Sequence, residues 1–397
     1  MRRLVSTLVA TLLLVAPAAA ETVRKSFSVG SGGTLKIDLE TGGDVDVVGG
    51  NGGEVSVTAE LLEWDPSAET LTIDSSGDTV RIRTTRSRDH QDHYSSRITF
   101  HVKVPDRFDV DVDSSGGDLG IRNVEGTFSG RTMGGDLMLR EVRGEVGLET
   151  MGGDVQLQDA DVKGRLTTDG GDLALTRVAG NLEASTMGGD IALTDVGAGV
   201  NVRTMGGDVM SSRREGPPGG AADGPVKLKT MGGDISVDDA PLGADLETNG
   251  GDIVVVSAGQ SVEATTYGGD INLRKVDGKV KATTHGGDVT VRLVDEGAAS
   301  DHDVELSSGG GDVSLIVPSG FSMDIDVEIT WTRDYHEKPV IHSDFPLSTS
   351  ESSSWDSGNN HGGKGPGTLI TGKGSVEGGR NHVVIRTTNG DVTIRRG

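Results

Sequence analysis

Cysteine is absent from the 397-residue sequence, and aromatic residues make up only 3% of it. Without cysteine the chain has no disulfide, no lipid-attachment cysteine and no thiol nucleophile. Apolar residues of all kinds reach 34%, while glycine alone contributes 62 residues. An ordinary compact globule of this length would bury more large side chains. The composition therefore favours a long, thin molecule with a narrow core.

Long hydrophobic runs are absent after residue 20. The first twenty residues, MRRLVSTLVATLLLVAPAAA, contain basic Arg2 and Arg3, an apolar stretch over 4–15 and three alanines at 18–20. This order is typical of a cleaved secretory signal peptide, and the apolar run is short for a membrane-spanning helix. We predict an exported protein, periplasmic or extracellular, that does not span the membrane once residues 1–20 are removed.

Basic residues are outnumbered by acidic ones, 37 against 61, which gives a net charge of −24. Removal of Arg2 and Arg3 with the signal peptide makes the charge of the mature chain −26. Such a surface repels nucleic acid and anionic lipid, so we expect no nucleic-acid partner. The acidity suits a partner that is cationic or neutral, or it simply keeps a β-rich surface in solution.

One five-residue pattern recurs along most of the chain. The stretch RTMGGDLMLREVRGEVGLETMGGDVQLQDA, residues 131–160, contains Thr-Met-Gly-Gly-Asp twice with the aspartates 18 positions apart. Successive Gly-Gly-Asp aspartates keep this spacing except for gaps of 26 and 24, which contain the loop-like segments 211–225 and 295–303. A fixed short period indicates stacked units. The repeated aspartates are Asp118, Asp136, Asp154, Asp172, Asp190, Asp208, Asp234, Asp252, Asp270, Asp288 and Asp312.

Apolar residues alternate within each repeat, as they do in a β-strand. After Asp136 they lie at odd offsets (Leu137, Leu139) and then at even offsets (Val142, Val146). A shift of one residue moves the apolar side chains to the opposite face of a strand. Each change between odd and even offsets therefore marks a corner of the coil. The predicted fold is all-β: a single-stranded β-helix, or β-solenoid, with 18-residue coils. Eleven coils at about 4.8 Å each give a rod on the order of 50 Å long.

The Gly-Gly-Asp motif itself predicts a tight corner. Glycine adopts positive φ without penalty, so we expect positive φ at the glycine pair. The aspartate that follows is suited to accept hydrogen bonds from turn amides. A threonine recurs two residues before each pair, at Thr132 and Thr150 for example, where a stacked column would allow hydroxyl hydrogen bonds between coils.

Sequences outside the repeats also have strand character. We predict an N-terminal β cap of irregular coils over 21–113, regular coils over 114–317 and a C-terminal β cap over 318–397. The Ser/Gly/Asn-rich stretch 343–381 is predicted to be a mobile loop within the C-terminal cap. Caps are expected because a solenoid with bare ends would expose unpaired strand edges.

Three segments resemble the toastrack family, a bacterial family of adhesin-like β-strand-repeat proteins also called domain of unknown function 4097. They are TFHVKVPDRFDVDVDSSGGD at 99–118, the recurrent TMGGDV coils, and VIRTTNGDVTI at 384–394. The resemblance covers nearly all of the mature chain. It implies a right-handed, single-stranded β-helix in an exported or membrane-tethered envelope protein, and it supplies no catalytic residues.

The aspartate column is one candidate binding site. Stacked carboxylates about 5 Å apart repel each other by roughly 0.8 kcal/mol per pair in water, and calcium would remove that cost. A calcium β-roll, however, needs Gly-Gly-x-Gly-x-Asp in both halves of each coil. Turn capping is therefore favoured over calcium, and no cofactor is expected. The column is represented by Asp136, Asp154, Asp172, Asp190 and Asp208.

The residue just before each glycine pair forms a second column, which includes Asp169 and Asn249 and should therefore face water. Exposed methionines are adaptable and could contact a partner; the simpler interpretation is that they cover the corner. We call the possible binding surface the Met stripe, composed of Met133, Met151, Met187, Met205, Met231, Tyr267 and His285.

Two further clusters are candidates for a metal site or a catalytic cleft. His90 and His93, with Asp89 and Asp92, have a spacing that could hold a metal, but a solvated loop is favoured because the sequence fixes no further ligand cluster. The segments 211–225 and 295–303 carry Arg213, Arg214, Asp301 and His302, beside which a cleft for a carbohydrate-active enzyme would have to lie. β-Helix enzymes use clustered carboxylates in such clefts, but the coils here are short and uniform.

The predicted function is non-enzymatic. The chain is expected to be an adhesin-like or scaffold protein of the cell envelope whose partner is an envelope protein or a glycan. Two alternatives remain: a carbohydrate-active β-helix enzyme that acts on envelope polysaccharide, and a calcium-binding secreted β-roll.

Overall fold

The computed structural model describes residues 21–50, 52–62, 64–87, 97–197, 199–213, 224–295, 297, 301–332, 335–352 and 367–397. The predicted signal peptide at 1–20, the His90 and His93 cluster and Arg214 lie outside these ranges. The described chain is all-β, which confirms the predicted fold class.

The strands, in chain order, are β1 (Glu21–Ser28), β2 (Gly33–Leu39), β3 (Asp44–Gly49), β4 (Glu54–Leu62), β5 (Glu69–Ser76), β6 (Thr79–Arg86), β7 (Arg97–Val104), β8 (Phe108–Ser114), β9 (Leu119–Arg122), β10 (Glu125–Thr132), β11 (Leu137–Arg140), β12 (Arg143–Thr150), β13 (Val155–Thr168), β14 (Leu173–Ala179), β15 (Leu182–Thr186), β16 (Ile191–Thr194), β17 (Val200–Arg203), β18 (Val209–Ser212), β19 (Val226–Lys229), β20 (Ile235–Ala240), β21 (Ala244–Glu247), β22 (Ile253–Thr266), β23 (Ile271–Thr284), β24 (Val289–Leu293), β25 (Val304–Ser308), β26 (Val313–Val317), β27 (Met323–Trp331), β28 (Ile341–Ser343), β29 (Ser348–Ser352), β30 (Thr368–Val376), β31 (Asn381–Thr388) and β32 (Val392–Arg396).

The strands stack in parallel to form a solenoid with two ladders. One ladder contains the strands that lead into each glycine pair, such as β10, β12 and the second half of β13, with Thr132 opposite Thr150 and Thr150 opposite Thr168. The other contains the strands that follow each aspartate, such as β11, the first half of β13 and β14, with Leu137 opposite Val155. Each residue therefore lies over its counterpart in the next coil, as the period predicts.

The core is a narrow column of aliphatic side chains between the two ladders. In the coil after Asp136 the residues at the predicted inward offsets, Leu137, Leu139, Val142, Val146 and Leu148, are all buried. The parity changes thus occur at the two corners of the coil. One corner is the Gly-Gly-Asp motif, and the other lies about five residues after the aspartate; we call the latter the second corner.

The N-terminal end is built from interleaved chain segments. β2 and β3 form one layer, yet they lie between β8 and β9 on one side and β6 and β7 on the other. The outer edges are then covered by antiparallel strands, because β5 pairs with β6, β4 pairs with β7, and β1 pairs with β4. Antiparallel cover of this kind ends the parallel stack.

The C-terminal end repeats this arrangement. The last strands of the chain, β31 and β32, lie between β25 and β26 on one side and β27 and β28 on the other. β27 then pairs with β30, and β30 with β29, both antiparallel. The prediction of a mobile loop over 343–381 is wrong for the described part of that stretch. β29 and β30 form an antiparallel pair there, and because every residue of β29 is exposed, that strand needs no apolar side chains.

Candidate functional site

The second glycine of each pair occupies a position with no room for a side chain. A Cβ built on Gly153 would lie 2.1 Å from the carbonyl oxygen of Gly135 in the preceding coil, and one on Gly171 would lie 2.1 Å from that of Gly153. The predicted positive φ is wrong for the regular coils: among their eleven glycine pairs only Gly117 has it, although Gly42 and Gly43 at the N-terminal end have it too. Close approach of stacked backbones, rather than backbone conformation, requires glycine here.

The threonine column is buried beneath the same corner. The hydroxyl of Thr168 donates to the carbonyl oxygen of Gly153 at 2.7 Å and accepts from the backbone N–H of Gly171 at 3.1 Å. Thr168 is fully buried, so each hydroxyl satisfies polar groups that would otherwise lack a partner. The predicted column is confirmed, but its hydrogen bonds run to glycine backbone.

The aspartates form a continuous hydrogen-bonded ladder along the edge of the rod. The backbone N–H of Asp154 donates to Oδ1 of Asp136 at 2.8 Å, and Asp172 repeats this with Asp154 at 2.8 Å. Repulsion between neighbouring carboxylates at the coil spacing costs about 0.9 kcal/mol in water. A hydrogen bond to a charged acceptor contributes about 1.5–3 kcal/mol, so the bond exceeds the repulsion. This geometry is the turn-capping role.

The aspartate ladder has two further members, Asp44 and Asp391, that the 18-residue spacing does not identify. Asp118 donates its backbone N–H to Oδ1 of Asp44 at 3.0 Å, and Asp391 donates to Asp312 at 2.7 Å. Both carry a usable signal, Gly-Gly-Asp at 42–44 and Asn-Gly-Asp at 389–391. Their separations from the neighbouring ladder aspartates are 74 and 79 residues. With them the ladder has thirteen members and is about 58 Å long.

The Met stripe lies on the solvent side of the Gly-Gly-Asp corner. About half of the surface of each of its methionines is exposed, from 46% at Met187 to 55% at Met133. Tyr267 is 56% exposed and stacks on His285 with ring centroids 4.5 Å apart. Water exposure of this column is as expected. The stripe therefore places polarisable apolar side chains at coil spacing beside a parallel line of carboxylates.

A shallow groove of about 430 Å³ runs along the other side of the aspartate ladder. The groove forms because two small side chains, Ala174 and Ala192, occupy its floor. The same repeat position is occupied by Gln156 in the preceding coil and by Met210 in the following coil. Four ladder aspartates from Asp154 to Asp208 form one wall. The Gly-Gly-Asp corner thus presents an apolar stripe, an anionic line and a groove, side by side.

The second corner carries the two long insertions. Their described residues lie four coils apart, about 19 Å, at the levels of β18 and β24. Because of this separation, Arg213 does not share a cleft with Asp301 and His302 in the described part of the chain. Asp301 pairs with Lys279 at 2.6 Å, and His302 lies 2.8 Å from Asp277. Asp277 was not singled out from the sequence, because its repeat position carries no constant residue type.

Ion pairs between coils follow the same period. Arg165 donates to Glu183 at 2.8 Å and Lys281 donates to Glu263 at 2.6 Å, each pair 18 residues apart. At the second corner the Arg177 guanidinium hydrogen-bonds to Asp159 at 2.8 Å and holds the pKa of that carboxyl below its ordinary value. The Lys279 ammonium likewise lowers the pKa of Asp301.

Among the described residues no helix is long and apolar enough to cross a membrane.

Comparison with known proteins gives one family match and several solved structures. The sequence model of the Toastrack DUF4097 family matches residues 34–221 and 198–340. No curated protein sequence matches the chain significantly.

The solved structures are distant in sequence. A "putative cell adhesion protein" from Clostridium sporogenes ATCC 15579 is 8% identical over 96% of this chain and 100% of that chain, with a TM-score of 0.20. A "putative adhesin" from Parabacteroides merdae ATCC 43184 is 9% identical over 74% of this chain and 96% of that one, with a TM-score of 0.27. A "putative lipid binding protein" from Parabacteroides distasonis ATCC 8503 is 10% identical, with coverages of 74% and 96% and a TM-score of 0.24.

Proposed function

Because this chain belongs to the Toastrack DUF4097 family, we propose that it is an exported, non-enzymatic envelope protein that binds a partner protein along the Met stripe. The signal-like sequence at 1–20 supports export to the periplasm or the cell exterior. A solenoid held in register over about 58 Å is suited to present one surface repeatedly.

The observation that carries this proposal is the exposure of the stripe. Met133, Met151, Met205 and Met231 are each more than half exposed on one edge of the rod. Single exposed apolar residues are common, but two runs of methionines at coil spacing, separated only by Asp169, are not. Methionine adapts its shape to an apolar surface, so the line can bind a partner without a preformed pocket.

The partner's chemistry follows from the neighbouring aspartates. The carboxylates beside the stripe carry one negative charge per coil and are mostly exposed, as are Asp154, Asp172 and Asp190. A complementary protein would place apolar side chains against the methionines and lysine or arginine beside the aspartates. Association should therefore weaken as salt concentration rises.

A crosslinking capture from the native envelope tests the proposal. The bait is the mature protein, compared with a variant in which Met133, Met151, Met187 and Met205 become Ser. The matched control is Met138→Ser with Met210→Ser, which removes methionines of 42% and 60% exposure from the neighbouring face. We expect one protein to be captured by wild type and control but not by the stripe variant.

Two outcomes would contradict the proposal. One is a partner retained by the stripe variant, and the other is capture of a glycan whose binding depends on neither variant. A separate assay addresses catalysis: the mature protein is incubated with envelope polysaccharide, and we expect no release of reducing or unsaturated sugar ends. Release would favour the carbohydrate-active alternative.

A further inference from the structure

From the side chains gathered at the second corner beside the C-terminal end, we propose a binding site for one zinc-class divalent cation formed by Asp277, Asp295 and His302. One donor atom from each side chain lies within 4.8 Å of the other two. Asp277 and His302 are more than nine-tenths buried, and Asp295 is exposed at the mouth of the site. Nothing in this arrangement is shared with the Met stripe or the aspartate ladder.

The insertion at 295–303 creates the cluster. Residues of β22 pair with residues of β23 that lie 18 positions later. The next gap between Gly-Gly-Asp aspartates, from Asp288 to Asp312, is 24 residues long. The two ends of the insertion supply Asp295 and His302, and Asp277 comes from β23, to which β24 and β25 pair on the same side. The break in the repeat thus occurs where the three side chains meet.

The distances suit a cation with short bonds. Nε2 of His302 lies 2.8 Å from Oδ1 of Asp277. Two ligands of a zinc ion with bonds of about 2.1 Å lie about 3.0–3.4 Å apart, so these two atoms are already close to ligand spacing. Asp295 must move inward by roughly 1–2 Å to complete the set, which a rotamer change of an exposed side chain can provide.

The local charge also favours a divalent cation. Asp301 is paired with Lys279 and Asp303 accepts from the backbone N–H of His382, so both carboxylates have partners of their own. Asp277 and Asp295 bring two further carboxylates to the His302 imidazole, a combination of donors that a divalent cation can bind.

The donor set selects the class of metal. Imidazole is a good ligand for zinc and neighbouring transition metals, while calcium and magnesium prefer sites made only of oxygen. Bound there, the cation would tie the solenoid to its C-terminal end. The backbone N–H of His302 donates to Oδ1 of Asn381 at 3.2 Å, and its ring packs edge-on against Phe321 with centroids 6.0 Å apart.

Calorimetric titration of the untagged, chelator-treated mature protein with zinc alone at pH 7.5 tests the site. We expect one zinc per chain, with affinity reduced at least about 10-fold in Asp295→Asn. The matched control is Asp301→Asn, which changes a nearby acid outside the cluster and should leave the affinity unchanged. A rise in Tm on zinc addition should disappear in Asp295→Asn.

Cobalt supplies a second readout, because the visible absorption of bound Co²⁺ should change when His302 becomes Gln. If His302→Gln fails to fold, Asp295→Asn decides the question, since that side chain is exposed. The proposal is overturned if the mature protein binds no zinc. It is also overturned if Asp295→Asn binds zinc as tightly as the wild type, which would place the ion elsewhere on the acidic surface.

Discussion

The backbone N–H of Asp391 donates a hydrogen bond of 2.7 Å to Oδ1 of Asp312, which precedes it by 79 residues. The same bond joins Asp154 to Asp136, only 18 residues apart, at 2.8 Å. An equivalent contact thus joins successive coils from Asp44 to Asp391, whatever length of chain lies between them. At the end of the ladder, Oδ1 of Asp391 accepts from the backbone N–H of Val340 at 2.8 Å.

Replacing the second glycine of a pair should disrupt the stack, while replacing the first should not. A Cβ on Gly171 would lie 2.1 Å from the Gly153 oxygen, whereas the nearest atom to a Cβ on Gly170 is 3.6 Å away. We expect Gly171→Ala to lower the free energy of unfolding by more than about 3 kcal/mol and Gly170→Ala to change it by less than about 1 kcal/mol. Urea denaturation of both variants measures the difference. Equal effects would show that backbone contact is not the reason for glycine.

The ladder aspartates should act mainly through their acceptor atom. Asp172→Ala removes the acceptor for the backbone N–H of Asp190 and should destabilise by about 1–3 kcal/mol. Asp172→Asn keeps an oxygen acceptor and removes repulsion from two neighbours, so its cost should be clearly smaller. Urea midpoints and hydrogen exchange at the Asp190 amide report both changes. An Asn variant as unstable as the Ala variant would mean that the charge itself is required.

Calcium is expected to leave the Tm of the wild-type protein unchanged. Each ladder aspartate, such as Asp154, already uses Oδ1 to accept a backbone N–H, and the second corner does not carry an acid in every coil, since Arg177 and Lys275 occupy that position in two of them. A calcium-binding ladder would be stabilised by about 2.7 kcal/mol at 100 times the dissociation constant. A thermal melt with and without millimolar calcium decides between the two; a clear rise in Tm would restore the β-roll alternative.

The Asp159 and Arg177 pair should make stability depend on pH in the acid range. Because the folded-state pKa of Asp159 is lowered, its contribution is fully present above the unfolded pKa of about 3.9 and is lost as pH falls through the lower folded value. Arg177→Gln should therefore be less stable than wild type at pH 6, and the difference should shrink below about pH 4. Urea midpoints across this range test it.

Arg165→Gln is the matched control for that series. Arg165 pairs with Glu183, but both side chains are mostly exposed, at 71% and 65%. Exposed pairs contribute little, so its midpoint should follow wild type at every pH. A control that behaved like Arg177→Gln would assign the effect to net charge.

Much of the fold could be predicted from the sequence because every coil repeats the same constraints. Leu137 and Val155 are both buried and paired because the period places them there. The conformation at the glycine pair could not be predicted, since positive φ and close backbone approach both demand glycine. The structure alone separates them, through the 2.1 Å approach at Gly153.

The ends and the second corner lay beyond sequence reasoning for a different reason. Asp44 contacts Asp118 across 74 residues, and Asp277 meets His302 across 25. Neither separation follows the period, because the intervening chain forms outer layers or a loop before it returns. The exposure of Met133 could be predicted from Asp169 in the same column, but a role in binding could not.

β31 and β32 lie inside the stack, so residues 381–396 join the regular coils to β27 and β28. Until residues 381–396 are made, β27 lacks its parallel neighbour and β25 ends in an open edge. Until then, the rod exposes strand edges that can pair with another chain. Loss of residues 381–397 would remove a layer from inside the column, so that β27 and the strands beyond it would lose their link to β25.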